Sequence, residues 1–254
     1  MTDPAGDDGR ALGYRQGMRA AVEERLLRRA GEDPRLTGAA VTGSAARGEA
    51  DAWSDIDLLF AVRDGVPVAE VVAEWSAHLH GSLAALHHFE LTAGETVHRA
   101  FLLPGRLEVD LGFTPEATFG QVGDGGFRAL WGTPAGPSAG ATVDVSFLAG
   151  LGWHHLLHAD VAVRRDRPWL AEHWISAVRD HVLTLAAYRL GLPTHYAKGA
   201  DRLPPDLTGP LEASLVPDLS RVSLNRALSA VRGAFLTELR HHDPALAATL
   251  DAEL

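Results

Sequence analysis

The sequence has no cysteine, little lysine and no long apolar run. Without cysteine the chain forms no disulfide and offers no thiolate to a metal. Its N-terminal stretch "MTDPAGDDGR" is acidic and lacks the apolar region of a secretory signal, and no later segment is long and apolar enough to cross a bilayer. We therefore expect a cytoplasmic protein without a membrane partner.

Basic residues are also fewer than acidic ones. The 23 Lys and Arg residues stand against 33 Asp and Glu residues, which gives a formal net charge of -10 at pH 7. Such a balance repels a nucleic-acid backbone and favours cationic or metal-bridged partners. Nucleic acid is therefore not expected as a partner.

Apolar spacing predicts a mixed α/β first half and a helical second half. Apolar periods indicate helices over 18–33, 67–86, 146–167, 168–191 and 219–243, and strands over 38–43, 56–62, 88–93, 97–103, 107–113 and 127–132. Gly and Pro crowd residues 114–143, a composition that separates domains. We predict an α+β protein with a mixed-sheet catalytic domain over 1–143, flanked by helices, and an all-α helical bundle over 144–254.

Two acidic strands suggest a metal site. In "SDIDLLFAV", Asp55 and Asp57 share one parity of the strand, and in "LEVDLGF" Glu108 and Asp110 share one parity, while the aliphatic residues between them take the other. Carboxylates held this close repel each other unless a cation lies between them. If the two strands are neighbours, Asp55, Asp57 and Asp110 can hold two Mg²⁺ ions for an in-line phosphoryl displacement.

The turn "GSAARG" before the first acidic strand offers the chemistry of a phosphate site. Gly43 permits close backbone approach, Ser44 supplies a hydroxyl and an N–H, and Arg47 adds a cation. The alternative is an ordinary turn followed by solvated charges at a strand edge, although two aspartates are unfavourable in an otherwise apolar strand.

Gly43 and Ser44, ten intervening residues and then Asp55 and Asp57 form a pattern that resembles the signature of the nucleotidyltransferase superfamily, which includes DNA polymerase β. The resemblance implies transfer of a nucleoside monophosphate from ATP or another nucleoside triphosphate. It assigns the metals to Asp55, Asp57 and Asp110, and nucleotide contacts to Gly43, Ser44, Arg47 and Ser54.

The helical half resembles the C-terminal domain of antibiotic-modifying nucleotidyltransferases of the aminoglycoside and kanamycin type. This resemblance places Lys198 of "HYAKGAD" near the nucleotide phosphates. It implies Mg²⁺-dependent transfer of AMP from ATP to a hydroxyl of a small molecule, an aminoglycoside or similar antibiotic, with release of pyrophosphate. An oligomer is possible, since in this superfamily a second subunit can complete the acceptor cleft.

Three carboxylates are candidates for the general base that activates the acceptor hydroxyl. Glu90 lies in a strand context, Asp160 lies on the first helix of the second half, and Asp110 can serve as ligand and base together. Each of the first two has a plain alternative as an exposed surface acid.

Other functions stay open at this point. The acceptor can be a protein or an RNA, as in antitoxin-like members, or the chain can bind nucleotide without catalysis. Arg189 and His195 have the spacing of an RNase pair, although Pro193 interrupts the helix between them. His154 and His158, four residues apart on a helix, have a spacing that can bind zinc.

Overall fold

The computed structural model describes residues 4–123, 125–140 and 142–254. The chain divides into two compact units, Met1–Ala141 and Thr142–Leu254. Strands occupy the first unit and helices the second, which confirms the predicted α+β class. Within the described residues, no helix is both long enough and apolar enough to span a membrane.

The first unit combines three helices with a six-stranded sheet. Its helices are α1 (Pro4–Glu32), α2 (Gly43–Ala46) and α3 (Val68–Ser82). Its strands are β1 (Leu36–Thr42), β2 (Ile56–Val62), β3 (His87–Ala93), β4 (Thr96–Leu103), β5 (Leu107–Pro115) and β6 (Phe127–Trp131). Each strand lies where alternation or composition predicted one, whereas α1 begins well before the predicted residue 18.

The strands follow the order β3-β4-β5-β2-β1-β6 across the sheet. β2 and β5 run parallel, and every other pairing between named strands is antiparallel. A parallel pair needs a long crossover, which α3, β3 and β4 provide. The acidic strands β2 and β5 are therefore neighbours at the centre of the sheet, which is the condition that the predicted metal site required.

One face of this sheet packs on α1 and α3. The rings of Phe60, Trp75 and Phe113 meet there with centroids 5.0 to 5.7 Å apart, and each residue is fully buried. Trp75 also donates its indole N–H to Asp33 Oδ2 at 3.0 Å, so the polar group of this buried ring is paired. Truncating one of these rings to alanine would lower the free energy of unfolding by about 3–5 kcal/mol. This core therefore holds β2 and β5 in place.

On the opposite face of the sheet, the described residues form a small apolar cluster made by Ala40, Leu59, Ala61 and Phe119. This cluster covers the C-terminal part of β2. The N-terminal end of the same strand, where Asp57 lies, is outside it. The sequence therefore leaves one end of an otherwise buried strand open for polar chemistry.

The second unit is built from helices that begin at recognisable signals. They are α4 (Val145–Arg164), α5 (Pro168–Arg189), α6 (Pro205–Glu212), α7 (Arg221–His242) and α8 (Pro244–Glu253). Asp144, Ser220 and Asp243 cap α4, α7 and α8 by accepting a backbone N–H three residues on, and α5 begins with a proline. The sequence did not predict α6, which contains Pro210, or α8.

A buried ion pair joins two long helices of this unit. Arg189 at the end of α5 donates to both carboxylate oxygens of Glu238 on α7 at 2.7 and 2.8 Å. The Glu238 side chain is 3% exposed, and His242 Nε2 lies 3.2 Å from its Oε1. Removing one partner of a buried pair leaves an uncompensated charge, which is far more costly than the pair itself.

Arg189→Met should therefore destabilise the protein by about 3 kcal/mol. The methionine keeps much of the packing volume but leaves Glu238 with His242 alone. Urea unfolding followed by circular dichroism measures the change. Arg240→Met, which breaks the half-exposed pair with Asp251, should cost less than about 0.5 kcal/mol; equal losses in the two variants would contradict this role for Glu238.

Candidate active site

Two acids lie opposite each other at the centre of the sheet, and a third comes just before one of them in the chain. In the parallel register Ile56 lies opposite Val109 and Asp57 lies opposite Asp110. Residues paired in this way project from the same face of neighbouring strands, whose axes are about 4.8 Å apart. Asp55 comes immediately before β2, on the same parity as Asp57. The geometry thus joins carboxylates that are more than fifty positions apart in the chain.

The surroundings of Asp110 show a site that attracts positive charge. Its Oδ1 is buried without a well-formed hydrogen bond, and His98 Nδ1 lies 3.4 Å from it. The contact with Asp110, and the further charge of Asp57, raise the pKa of His98 although partial burial opposes the shift. His98 lies on β4, opposite Gly112 of β5.

Glu108 adds a fourth carboxylate on the same side of β5 as Asp110. Partial burial raises the pKa of Glu108, and the charges of Asp55 and Asp110 raise the pKa further. The local excess of negative charge therefore extends from Asp57 across to the start of β5.

The donors present fit a divalent cation of the Mg²⁺ type. They are all carboxylate oxygens, Asp110 Oδ1 is buried with only the 3.4 Å contact to His98 described above, and a cation would remove the repulsion between the acids. Among the described residues no three Asp, Glu or His side chains are already grouped as metal ligands. Mg²⁺ does not require such a group, because substrate phosphates and water complete its shell around one or two carboxylates.

The turn after β1 is fitted to the carboxylate of Asp57. Gly43 has a φ of +61°, and a Cβ at this position would overlap Asp57 Oδ2. α2 begins at Gly43, and Ser44 lies in it, half-buried. Only glycine satisfies both the left-handed backbone and the close approach.

Comparison with known proteins agrees with this geometry. Residues 22–92 match the nucleotidyltransferase domain family, and this segment contains β1, the turn and both aspartates of the first acidic strand. The chain contains a nucleotidyltransferase domain. The predicted resemblance of the Gly43 turn and the first acidic strand to nucleotidyltransferases is thereby confirmed, and no curated protein matches the chain.

Two solved structures overlap loosely with the chain. An aminoglycoside 6-adenyltransferase from Bacillus subtilis is 13% identical, with a TM-score of 0.39, over 87% of this chain and 89% of its own. A nucleotidyltransferase-like protein from Exiguobacterium sibiricum is also 13% identical, with a TM-score of 0.38, over 88% of this chain and 76% of its own.

Two predicted nucleotide contacts of the nucleotidyltransferase domain bond to neighbours in their own loop. Arg47 Nε donates to Glu49 Oε2 at 2.7 Å. The Ser54 hydroxyl donates to Asp51 Oδ1 at 3.1 Å and accepts the Asp51 N–H at 2.9 Å. Both side chains therefore stabilise the loop that carries the signature, and a nucleotide would have to compete with Glu49 for Arg47.

Glu90 lies away from the acids of the nucleotidyltransferase domain. It is paired with Arg99 across β3 and β4, and Arg99 lies opposite the core residue Leu111. Cross-strand partners share a face, so Glu90 belongs to the face packed by α3, where Arg99 donates to Ser76. Asp110 belongs to the other face, and the structure does not bring Glu90 to it.

Asp160 and Lys198 belong to the helical unit. Asp160 accepts a hydrogen bond from Arg164 Nε at 2.6 Å on the exposed side of α4. Lys198, the one lysine of the sequence, is exposed after the helical turn His195–Ala197. The roles of both residues toward a nucleotide stay predictions.

The residues proposed for an RNase pair or a zinc site have other surroundings in this unit. Arg189 is held by Glu238, while His195 is exposed. The rings of His154 and His158 are 4.3 Å apart between centroids, and within the described chain no third ligand groups with them. His155 instead makes a 3.0 Å hydrogen bond with His181 of α5.

Gly43→Ala should weaken binding of Mg²⁺ and a non-hydrolysable ATP analogue by at least about tenfold, because its Cβ displaces the Asp57 carboxylate. Isothermal titration calorimetry measures the affinity. Gly48→Ala is the matched control: its φ is +74°, so the backbone strain is similar, but nothing lies within 4 Å of its Cβ. Equal losses in both variants would refute the fit between Gly43 and Asp57.

The helical unit should lose stability as the pH falls below about 6.5. Burial and the charges of neighbouring histidines lower the pKa of His155 to about 4, and burial lowers the pKa of His181. The unfolded chain takes up protons at these positions before the folded chain does, so the stabilisation is complete above pH 6.5 and is lost toward pH 4. Solvent screening limits the change to the order of 1 kcal/mol.

Hydrogen exchange of the α4 and α5 amides at pH 7 and pH 5 measures this loss. His155→Gln should flatten the dependence on pH, whereas His241→Gln, at the exposed end of α7, should leave it as in the parent. An unchanged slope in His155→Gln would assign the effect to other groups.

Proposed function

We propose that the chain catalyses Mg²⁺-dependent transfer of a nucleoside monophosphate, AMP from ATP, to a hydroxyl of a small molecule, with release of pyrophosphate. The observation that carries the proposal is the parallel register of β2 and β5, which sets Asp57 beside Asp110, together with the fit of Gly43 against Asp57. A sheet that merely exposed two acidic strands would not need a glycine whose missing side chain makes room for a carboxylate.

The reaction makes one bond and breaks one. The acceptor oxygen attacks the α-phosphorus, the bond from that phosphorus to the bridging oxygen of the β-phosphate breaks, and the acceptor proton passes to a carboxylate of the site. Asp55, Asp57 and Asp110 would hold Mg²⁺, which when bound supplies the charge stabilisation that the phosphates need.

The protein's own residues position the reactants. Gly43 lies against the Asp57 carboxylate, so a triphosphate held by the N–H groups of Gly43 and Ser44 would have its phosphorus atoms beside the acids. Most of the rate enhancement in phosphoryl transfer comes from such positioning and from charge stabilisation.

The acceptor that fits this site best is a hydroxylated small molecule, an aminoglycoside or a similar antibiotic. A net charge of -10 and the acids at the start of β5 raise the local concentration of a cationic acceptor. The same charge disfavours RNA as acceptor.

Asp57→Asn should reduce pyrophosphate release from ATP and Mg²⁺ by at least about 100-fold, because it removes one metal ligand and part of the charge on the acids. The assay screens aminoglycosides, other hydroxylated antibiotics and simple polyols. Asp64→Asn, in the exposed turn beyond the other end of β2, is the matched control and should retain full turnover.

Three results would overturn this proposal. Retained turnover in Asp57→Asn would remove the metal assignment. Labelled ATP that transfers its label to protein or RNA and never to a small alcohol would replace the acceptor class. Binding of ATP without pyrophosphate release from any acceptor would mean that the domain binds nucleotide without catalysis.

A further inference from the structure

The outer edge of β3 forms one border of the sheet. β3 is the last strand in the order, and within the described parts of the chain β4 is the one strand that pairs with it. The backbone N–H and C=O groups along such an edge offer the hydrogen bonds that another extended strand needs. The partner that fits this edge is therefore a strand, and not a helix or a small molecule.

β3 lacks the usual features that protect an open edge, which are proline, exposed basic residues and bulges. Its sequence, HHFELTA, has no proline, lysine or arginine, and it pairs with β4 in unbroken register from His87 to Ala93. The opposite border, β6, is shorter, contains Arg128 and has a register shift against β1 between Ala39 and Ala40. The sheet is therefore protected at one border and open at the other.

Large apolar side chains accompany this edge on the open face of the sheet. Phe89 lies in the row of paired residues that leads across β4 to Asp110, so it shares the face of the acids. Leu91 is two residues further along β3, and Leu102 pairs with the first residue of β3, so both belong to the same face. Phe89 is 52%, Leu91 53% and Leu102 44% exposed. Neighbouring apolar side chains exposed together are typical of an interface.

The strand is self-complementary about its central residue. Glu90 is the middle one of the seven residues, so two antiparallel copies in full overlap pair Glu90 with itself and Phe89 with Leu91 of the second copy. In this register the exposed apolar side chains of one copy pack against those of the other. A shift of two residues in either direction shortens the overlap to five residues and separates Phe89 from Leu91. The sequence of the strand therefore favours a second copy as its partner, in one register.

The charges on the other face of β3 are compatible with this pairing. Glu90 by itself would meet a like charge across the two-fold axis, which is unfavourable. Glu90 already accepts a hydrogen bond from Arg99 on β4 of its own chain. In the paired strands, two carboxylates and two guanidinium groups would form one row without net charge.

We propose that two copies of this chain associate through β3, antiparallel and centred on Glu90, so that their sheets join into one sheet of twelve strands. The two-fold axis is then normal to the sheet, because residues paired across antiparallel strands share a face. Both open faces lie on the same side, and the two Asp110 residues are five strand spacings, about 24 Å, apart. The proposal does not depend on the transfer reaction.

Sedimentation equilibrium of the full chain at about 1 to 100 μM tests the association. The parent should be mainly dimeric at the top of this range. Leu91→Lys, which places a charge at the edge of both copies, should raise the dimer Kd at least about 100-fold. Leu215→Lys is the matched control and should dimerise like the parent, since Leu215 lies in the helical unit and is 55% exposed.

Single cysteines test the register, because the natural chain has none. In the proposed pairing residue 90 lies opposite its own copy, with Cβ atoms about 5 Å apart and within reach of a disulfide. Residue 92 pairs with residue 88, so it lies about 14 Å from its own copy. Mild oxidation should therefore link Glu90→Cys into a dimer but not Thr92→Cys, which is on the same face of β3. Circular dichroism confirms that each variant is folded.

Three results would overturn this proposal. A parent chain that is monomeric up to about 100 μM would exclude a second copy as the partner and leave the edge to an extended peptide of another protein. Equal weakening of the dimer by Leu91→Lys and Leu215→Lys would place the interface elsewhere. A disulfide yield at residue 90 no higher than at residue 92 would refute the register. The transfer reaction is tested separately, by the Asp57 variant.

Discussion

The repulsion between carboxylates on neighbouring strands is the constraint on which the candidate active site depends. Asp57 and Asp110 lie opposite each other in a parallel pair, and the buried face behind them holds the strands in that register. A slip of one residue would carry the aliphatic side chains out of the core and the acids into it. Hydrophobic burial thus holds the acids together against their charge, and that unfavourable charge density is what a metal and a phosphate would relieve.

The local parts of this arrangement were predictable. Alternation in "IDLLFAV" and "LEVDLGF" predicted both strands and the face of each acid, because period two is a local property of the backbone. The position of His98 near Asp110 was also predictable. The turn at Pro104–Arg106 pairs Leu103 with Leu107, so counting back along β4 places Ala100 opposite Asp110. His98 is two residues further along the same strand. That step needs only the register of this hairpin.

Other parts depend on contacts that no local pattern encodes. The parallel pairing of β2 with β5 is settled by a crossover of α3, β3 and β4. Arg47 and Ser54 bond to Glu49 and Asp51, acids inside the signature loop that compete with a ligand for the same donors. Strand parity alone could not predict which face of the sheet carries Glu90, because that face depends on the register between β3 and β4.

The contact between Gly43 and Asp57 means that the two halves of the signature cannot vary separately. The volume that a side chain at residue 43 would need is occupied by the Asp57 carboxylate, so any movement of the turn displaces this carboxylate and any movement of the carboxylate disturbs the turn. In the proposed reaction, affinity for the triphosphate and affinity for the cation would therefore depend on one steric fit. A lineage of such proteins could alter its acceptor freely while this pair of residues stayed the same.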